Sequence, residues 1–284
     1  MTSQAKRKIA FLASPNYQQI LRDSPSFVNE LDIMKEPFAK FNAELIAVDW
    51  RDPLVDWTSF EVVIPKACWD YSERPLEFEG FLRAMIHQKV KFKNSTETVL
   101  WNMRKNYLLE LEGKNLSVAR LKIVPQGSDL NLAELARGFE PSSRVVVKPS
   151  ISGGARNTKR LEVRQLFEES EFLKLILKDS DLIIQPYFEE IANEGEYSFL
   201  FFRSEFSHVV LKKPASGDFR VQPYHGASTH PYTPSPSEIS EAAKYINAVN
   251  PQPSYGRVDG FKKDGKFQLM ELELIERFVQ AMLD

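Results

Sequence analysis

The sequence predicts an α/β protein that turns α+β in its C-terminal part, and three observations carry that expectation. In the first 95 residues, apolar runs of strand length alternate with runs of helical spacing, the pattern of a parallel sheet covered by helices. Further on, strand-type runs follow one another and end in a hairpin with an Asp-Gly turn. The bulk composition is that of a globular chain: 284 residues, 43% hydrophobic and 27% charged, long enough for one large or two ordinary domains.

The elements follow in order. Ile9 to Ala13 reads as a short buried strand, and Ser26 to Phe41 as a helix, with Phe27, Leu31, Met34, Phe38 and Phe41 at helical spacing. Glu44 to Val48 and Glu61 to Pro65 read as strands, and Leu76 to Gln88 as a helix capped upstream by Ser72. This half is Rossmann-like in layout. It contains no glycine before Gly80, so it lacks the glycines a dinucleotide-binding first turn needs beside a pyrophosphate. Asn102 to Glu112 looks helical, Leu121 to Val124 extended, and Asn131 to Gly138 a short helix. Strand Val145 to Lys148, helix Val163 to Lys178, and strands Leu182 to Gln185, Glu196 to Phe202 and Ser207 to Lys212 come next. A Pro/Ser/His-rich loop spans Pro214 to Pro236, then a helix Pro236 to Val249, a hairpin Tyr255 to Leu274, and a last helix after Arg277. No internal repeat is visible.

Composition narrows the function. A net charge of -2 gives no basic face of the kind a dedicated nucleic-acid binder needs. A single cysteine, Cys68, cannot build an internal disulfide framework and fits a reducing compartment. The histidines His87, His208, His225 and His230 are scattered, without zinc spacing. The opening MTSQAKRKIAFLASP has basic residues before apolar ones, but its apolar run stops at Pro15 and Asn16 and reads as a first strand. No stretch approaches the roughly 18 apolar residues of a membrane span. A cytoplasmic location is expected, without nucleic-acid or membrane partners.

Three segments carry chemistry. In RVVVKPSISGGARNTKR (Arg144 to Arg160) a β-branched strand ends on Lys148, Pro149 stops the ladder, and Ser152-Gly153-Gly154 can turn successive N–H groups toward one anion. A strand with a snorkelling lysine and a surface turn would read the same way. A Walker A loop is excluded because no Gly-x4-Gly-Lys-Ser/Thr run exists. A protein kinase is excluded by order, since here the glycines follow the lysine strand, and no kinase catalytic-loop sequence is present.

In the hairpin YGRVDGFKKDGKFQLMELELIE (Tyr255 to Glu276), Glu271 and Glu273 are two apart on a strand and share a face. A two-residue turn of Asp264-Gly265 would pair Asp259 with Met270, away from the glutamates. A three-residue turn of Lys263-Asp264-Gly265 with a bulged Gly265 would put Asp259 on their face. A metal site therefore predicts the bulged turn, since three carboxylates on one face suit magnesium. A solvated amphipathic strand alternates Glu and Leu equally well. Between these segments lies LIIQPY (Leu182 to Tyr187), where Pro186 interrupts the ladder and frees backbone that could read an adenine edge. Gly195-Glu196 then opens the next strand; taken alone, Glu196 is a strand-start acid.

The order of these pieces, strand lysine, glycine loop, Gln-Pro, Gly-Glu, Asp and Glu-x-Glu, resembles the ATP-grasp superfamily over roughly Asn102 to Glu276. Within it the chain looks most like the small bacterial proteins related to glutathione synthetase, a group that includes the cyclase of cycloserine biosynthesis. VVIPKACWDY (Val62 to Tyr71) resembles the preceding domain of these proteins, where such a run lies near the substrate. The resemblance implies a Rossmann-like domain over 1–95 and a two-lobed ATP-grasp domain over 96–284, with a lid subdomain at about 117–186. It implies that Lys105 and Lys148 contact nucleotide phosphates and that the loop Ser152, Gly153, Gly154 to Thr158 closes over them. Gln185, Pro186, Tyr187 and Phe188 would form the adenine hinge, with Glu196 on the ribose. Asp259, Glu271 and Glu273 would hold two magnesium ions, for which manganese can substitute; Glu273 stands where many members have asparagine. Lys212 and Arg220 would face the transferred phosphoryl group and the substrate carboxylate. Two departures stand out: the segment between Asn102 and Lys105 is short, and Arg277 follows LELIE where proline is usual. The activity implied is ATP-dependent carboxylate–amine ligation on an amino acid or small peptide through an acyl phosphate. Ring closure by the same activation, small-molecule phosphorylation and nucleotide binding without turnover are the alternatives. Small-molecule carboxylate and amine substrates are the implied partners, and a homodimer is an assembly the resemblance allows.

Overall fold

The computed structural model describes residues 5–23 and 29–275. In the N-terminal part, β1 (Arg7–Ala13), α1 (Tyr17–Asp23), α2 (Glu30–Ala39), β2 (Ala43–Asp49), β3 (Val62–Ala67) and α3 (Pro75–His87) alternate. The strands pair in parallel in the order β2-β1-β3. Because the period of a strand is two, Ile9, Phe11 and Ala13 bury one face against Tyr17 and Leu31, while Ala10 and Leu12 bury the other against Phe78 and Leu82. The expected helix Ser26 to Phe41 begins, within the described residues, at Asn29, whose side chain caps it. Phe41 lies beyond its end and is exposed. α3 starts at Pro75 with Arg74 as its cap, not Ser72, which ends a short 3-10 turn. The element α1 had no counterpart in the sequence reading.

The helix expected over Asn102 to Glu112 is two helices, α4 (Thr96–Met103) and α5 (Tyr107–Gly113). The break has a physical reason: the Lys105 backbone N–H donates to the Ser150 carbonyl (3.1 Å), turning that side chain into the interior. Next come β4 (Lys122–Val124), α6 (Leu132–Ala136), β5 (Arg144–Pro149), β6 (Lys159–Glu162), α7 (Ser170–Asp179), β7 (Leu182–Pro186) and α8 (Glu189–Asn193). The four strands form an antiparallel sheet in the order β4-β7-β5-β6, with Val145, Val147, Leu182 and Ile184 packed on Leu173 and Ile176. The 3-10 turn at Val163–Leu166 replaces the start of the helix expected from Val163, and β6 before it was not expected.

A second antiparallel sheet contains β8 (Glu196–Phe202), β9 (Glu205–Lys213), β10 (Ser228–Pro231), β11 (Tyr255–Lys263) and β12 (Lys266–Glu273), in the order β10-β9-β8-β11-β12. Helix α9 (Pro236–Asn247) has a capping box between Ser235 and Glu238 and covers one face through Ala242, Tyr245 and Ile246. Part of the expected Pro214 to Pro236 loop is therefore ordered as β10. Strand β12 is the sheet edge; at Leu269 its outward groups bond the backbone of Ser117 and Ala119, and further along they are satisfied by side chains from distant segments. Asn102 donates to the Leu272 carbonyl and accepts from Leu274 N–H, both at 2.9 Å. Tyr107 brackets Leu272 in the same way, and Asn94 binds the Tyr255 and Leu274 carbonyls. The helix expected after Arg277 lies outside the described residues.

Candidate active site

The hairpin reaches the expected side-chain arrangement by a different backbone route. Lys263 pairs with Lys266, so the turn is the two-residue Asp264-Gly265, both at positive φ (52° and 75°). The three-residue bulged turn expected from the metal hypothesis is not formed. The register shifts instead between Asp259 and Gly260, leaving Met270 as the extra residue, so that Asp259 pairs with Glu271 and Arg257 with Glu273. One bulge thus puts Arg257, Asp259, Glu271 and Glu273 on one face. The same ladder adds Ser198 beside Asp259, and Glu196 opposite Lys212. Gly260 makes the bulge possible: a Cβ there would come within 2.5 Å of the Phe267 ring and strike the Gln268 carbonyl oxygen.

This face looks across a cleft of about 1130 Å³ at the smaller sheet. Lys105, Lys148, Ser152, Gly153, Gly154, Thr158, Gln185, Pro186, Tyr187, Phe188, Glu196, Lys212, Arg220, Asp259, Glu271 and Glu273 all line it. All the residues that the resemblance assigns to nucleotide, metal and substrate therefore border one space. Lys105 donates toward the Ser152 carbonyl (3.3 Å) and sits 3.1 Å from Glu271, joining the glycine loop to the acidic face. Lys148 has its pKa lowered to about 8 by burial and by the charge of Lys105, against the pull of Glu271 and Glu196. Gln185 is fully buried, and neither polar atom of its amide has a hydrogen-bond partner. An orphaned amide in a cleft wall is costly unless a ligand satisfies it.

On the acidic face, burial pushes Asp259 up, but Arg257 and Lys212 overcome it and hold the carboxylate at about 2. Arg257 donates from Nε at 2.8 and 2.9 Å, and Ser198 at 2.6 Å. Glu196 is pushed up to about 6 by burial, partly offset by Lys212 at 3.2 Å. The three carboxylates expected to hold metal share a face but do not converge. Asp259 turns to Arg257, Glu271 to Lys105, and Glu273 accepts from Ile275 N–H at 2.9 Å. Among the described residues no group of three such side chains is closed into a metal cage. The donor chemistry still fits a hard cation: carboxylate oxygens whose present partners are monovalent side chains or a backbone N–H.

Segment 214–236 forms a strap over the cleft. Phe219 meets Tyr187 edge-on at 6.3 Å, and the Tyr224 hydroxyl fills the space a Cβ on Gly154 would need. Arg220 lies between those anchors with its guanidinium on Asp218, an arrangement its expected role did not anticipate. From the N-terminal part, Trp69, Tyr71, Ser72 and Glu73 reach the cleft, and Glu73 pairs with Arg156 at 2.9 Å. His230 lines the cleft and contacts Ser228 (2.8 Å), while the His225 ring packs at a tilt against Tyr224. The sequence reading missed Arg257 as a site residue. Its signal was present: it stands two residues before Asp259 on one strand, hence on the same face.

The arrangement of two antiparallel sheets gripping a cationic and acidic cleft is the ATP-grasp fold. The D-alanine–D-alanine ligase of Bacillus anthracis, crystallised with ATP, superposes with a TM-score of 0.65 at 17% identity, over 95% of this chain and 86% of that one. The ATP-grasp ligase PsnB, in complex with minimal precursor, magnesium and ADP, gives 0.59 at 15% identity, over 96% and 90%. A more specific similarity is to DcsG. Residues 9–94 match the family described as D-cycloserine synthetase DcsG, N-terminal domain. The cycloserine biosynthesis protein DcsG of Streptomyces lavendulae is 32% identical over 170 residues, 58% of this chain and 56% of that relative's length. The crystal structure of D-cycloserine synthetase DcsG superposes with a TM-score of 0.80 at 24% identity, over 95% of this chain and 92% of that one. The family resemblance expected from the sequence therefore holds. No helix among the described residues is long and apolar enough to cross a membrane.

Proposed function

We propose that this protein is an ATP- and magnesium-dependent ligase that activates a substrate carboxylate as an acyl phosphate and transfers it to an amine. The observation that carries the reading is the pairing of opposite walls. Lys105 and Lys148 stand on the phosphate-loop side, facing Asp259 and Glu271 across one cleft. In this reading Lys105, Lys148 and the loop Ser152 to Thr158 bind the phosphates. Gln185 to Phe188 take the adenine, with the buried Gln185 amide satisfied by the base, and Glu196 holds the ribose. Asp259 and Glu271, assisted by Glu273, would hold the metal in place of their present contacts to Arg257 and Lys105. Bound there, magnesium offsets the charge on the phosphates. Lys212, Arg220 and Arg257 bind the carboxylate and the transferred group, positioning the carboxylate oxygen in line with the γ-phosphorus. Residues 1–95 act as the Rossmann-like substrate-side domain, in keeping with the parallel β2-β1-β3 sheet. Residues 96–284 form the ATP-grasp domain, with the lid at about 117–186.

The match of residues 9–94 to the DcsG N-terminal family favours a second reading, in which the amine belongs to the same molecule and the acyl phosphate closes a ring. A magnesium-dependent ADP-release screen over amino acids and small acids, with and without a separate amine, distinguishes the two. Ligation requires the added amine, whereas ring closure does not. Lys148→Ala serves as control, and unchanged activity in that variant would remove the nucleotide site proposed here.

A further inference from the structure

The strap segment contains a device that the proposed site does not explain. Asp218 follows a turn closed by its own N–H on the Ala215 carbonyl (3.0 Å), with Gly217 at positive φ. Its Oδ1 accepts from the backbone N–H groups of Phe219 (2.7 Å) and Arg220 (3.0 Å). The same carboxylate also takes the Arg220 side chain, Nε at 3.0 Å on Oδ1 and Nη2 at 2.7 Å on Oδ2. This bidentate contact holds the Asp218 carboxyl well below its ordinary range, through the side-chain bond to Arg220 first and the backbone bonds after it.

A guanidinium has two edges that can each grip a carboxylate. Asp218 occupies the Nε–Nη2 edge. None of the described residues accepts a hydrogen bond from Nη1, and Arg220 lines the cleft between the anchor at Tyr187 and the anchor at Gly154. An edge is therefore left open on a side chain that lines the cleft, and the Asp218 contact fixes its plane. We propose that Asp218 is a positioning residue, which clamps one edge of Arg220 so that the Nη1–Nη2 edge receives the substrate carboxylate. The proposal rests on the ligase reading, in which Arg220 meets that carboxylate.

Asparagine separates the two jobs of Asp218. Asp218→Asn keeps an oxygen for the Phe219 and Arg220 N–H groups but turns a donor toward Nη2, whereas Asp218→Ala loses both functions. The full chain is assayed for ADP release with the best acid of an amino-acid panel, and ADP with magnesium is titrated calorimetrically. Both variants should raise the KM for the acid by about 10- to 100-fold, the loss of one charged bidentate contact, and leave the ADP Kd within about twofold. In an Arg220→Ala background, Asp218→Asn should add less than about twofold. If Asp218→Asn matches wild type while only Asp218→Ala is impaired, Asp218 merely holds the turn and the proposal fails. A full additive loss on Arg220→Ala overturns it equally. A wild-type protein that releases ADP with no acid overturns the ligase reading, and this proposal with it. That outcome is read from the wild-type arm alone.

Discussion

The two walls that carry polar groups into the cleft are built in opposite ways. On hairpin β11–β12 most groups are tied to distant segments: Asp259 to Ser198 (besides Arg257 on its own strand), Glu271 to Lys105, and the backbone to Asn94, Asn102 and Tyr107. On the strap, Asp218 holds its immediate neighbours and Ser228 contacts His230, with long-range attachment at Tyr187, Gly154 and Lys262. The carboxylates of the hairpin thus stand on a sheet whose register defines them, while Asp218 and Arg220 stand on a loop that can be retuned without disturbing the core.

The sharpest way to break this contrast is Arg257→Gln, which leaves Asp259 buried without its main partner. Loss of about 3 kcal/mol in urea unfolding at pH 7 is expected, the cost of breaking a buried pair. The sign follows from Asp259, which is held at about 2 in the folded state, below its ordinary carboxylate range. Its contribution is present above the unfolded value near pH 4 and fades as pH falls toward about 2, so the variant and wild type should converge in acid. Next in size, Gly260→Ala should cost about 2 kcal/mol through overpacking against Phe267 and Gln268, and should weaken nucleotide binding with it, because the bulge sets the register. Full stability with intact binding in that variant would detach the carboxylate face from the bulge.

Lys148, on β5 of the smaller sheet, sharpens the comparison from outside both segments. Its ordinary value is 10.5 and burial lowers it to about 8. Between those values the unfolded chain holds the proton and the folded chain does not, so the free protein should gain stability as pH rises from about 8 to 10.5. Phosphate binding needs the charged form, so the nucleotide Kd should rise up to about tenfold per pH unit above 8 in the same calorimetric titration. Lys148→Arg should flatten that slope. The smallest effect belongs to the strap: Tyr224→Ala should change unfolding free energy by less than about 1 kcal/mol, within the range of surface changes, while loosening nucleotide affinity a few-fold.

Legibility in the sequence follows the same division. Strands with β-branched runs, such as Val145 to Lys148, and a capped helix such as Pro236–Asn247 were readable because local pattern and burial agree. The face shared by Asp259 and Glu271 was readable as a condition on register, but the bulge that meets it was not. A bulge is decided by what Gly260 packs against, which lies outside any local window. The break between α4 and α5 escaped for the same reason, since it depends on the Ser150 carbonyl. Arg257 could have been found by the alternation that found the glutamates. The strap anchors at Tyr187 and Gly154 had no signature, because aromatic contacts between loops leave no period to read.

Labelling both carboxylate oxygens of the accepted acid with ¹⁸O tests the central claim most directly. If the acid attacks the γ-phosphorus and is then displaced by an amine, whether separate or internal, the inorganic phosphate released must carry one ¹⁸O per turnover. Phosphate that leaves without label while ADP forms would contradict acyl phosphate activation in this cleft.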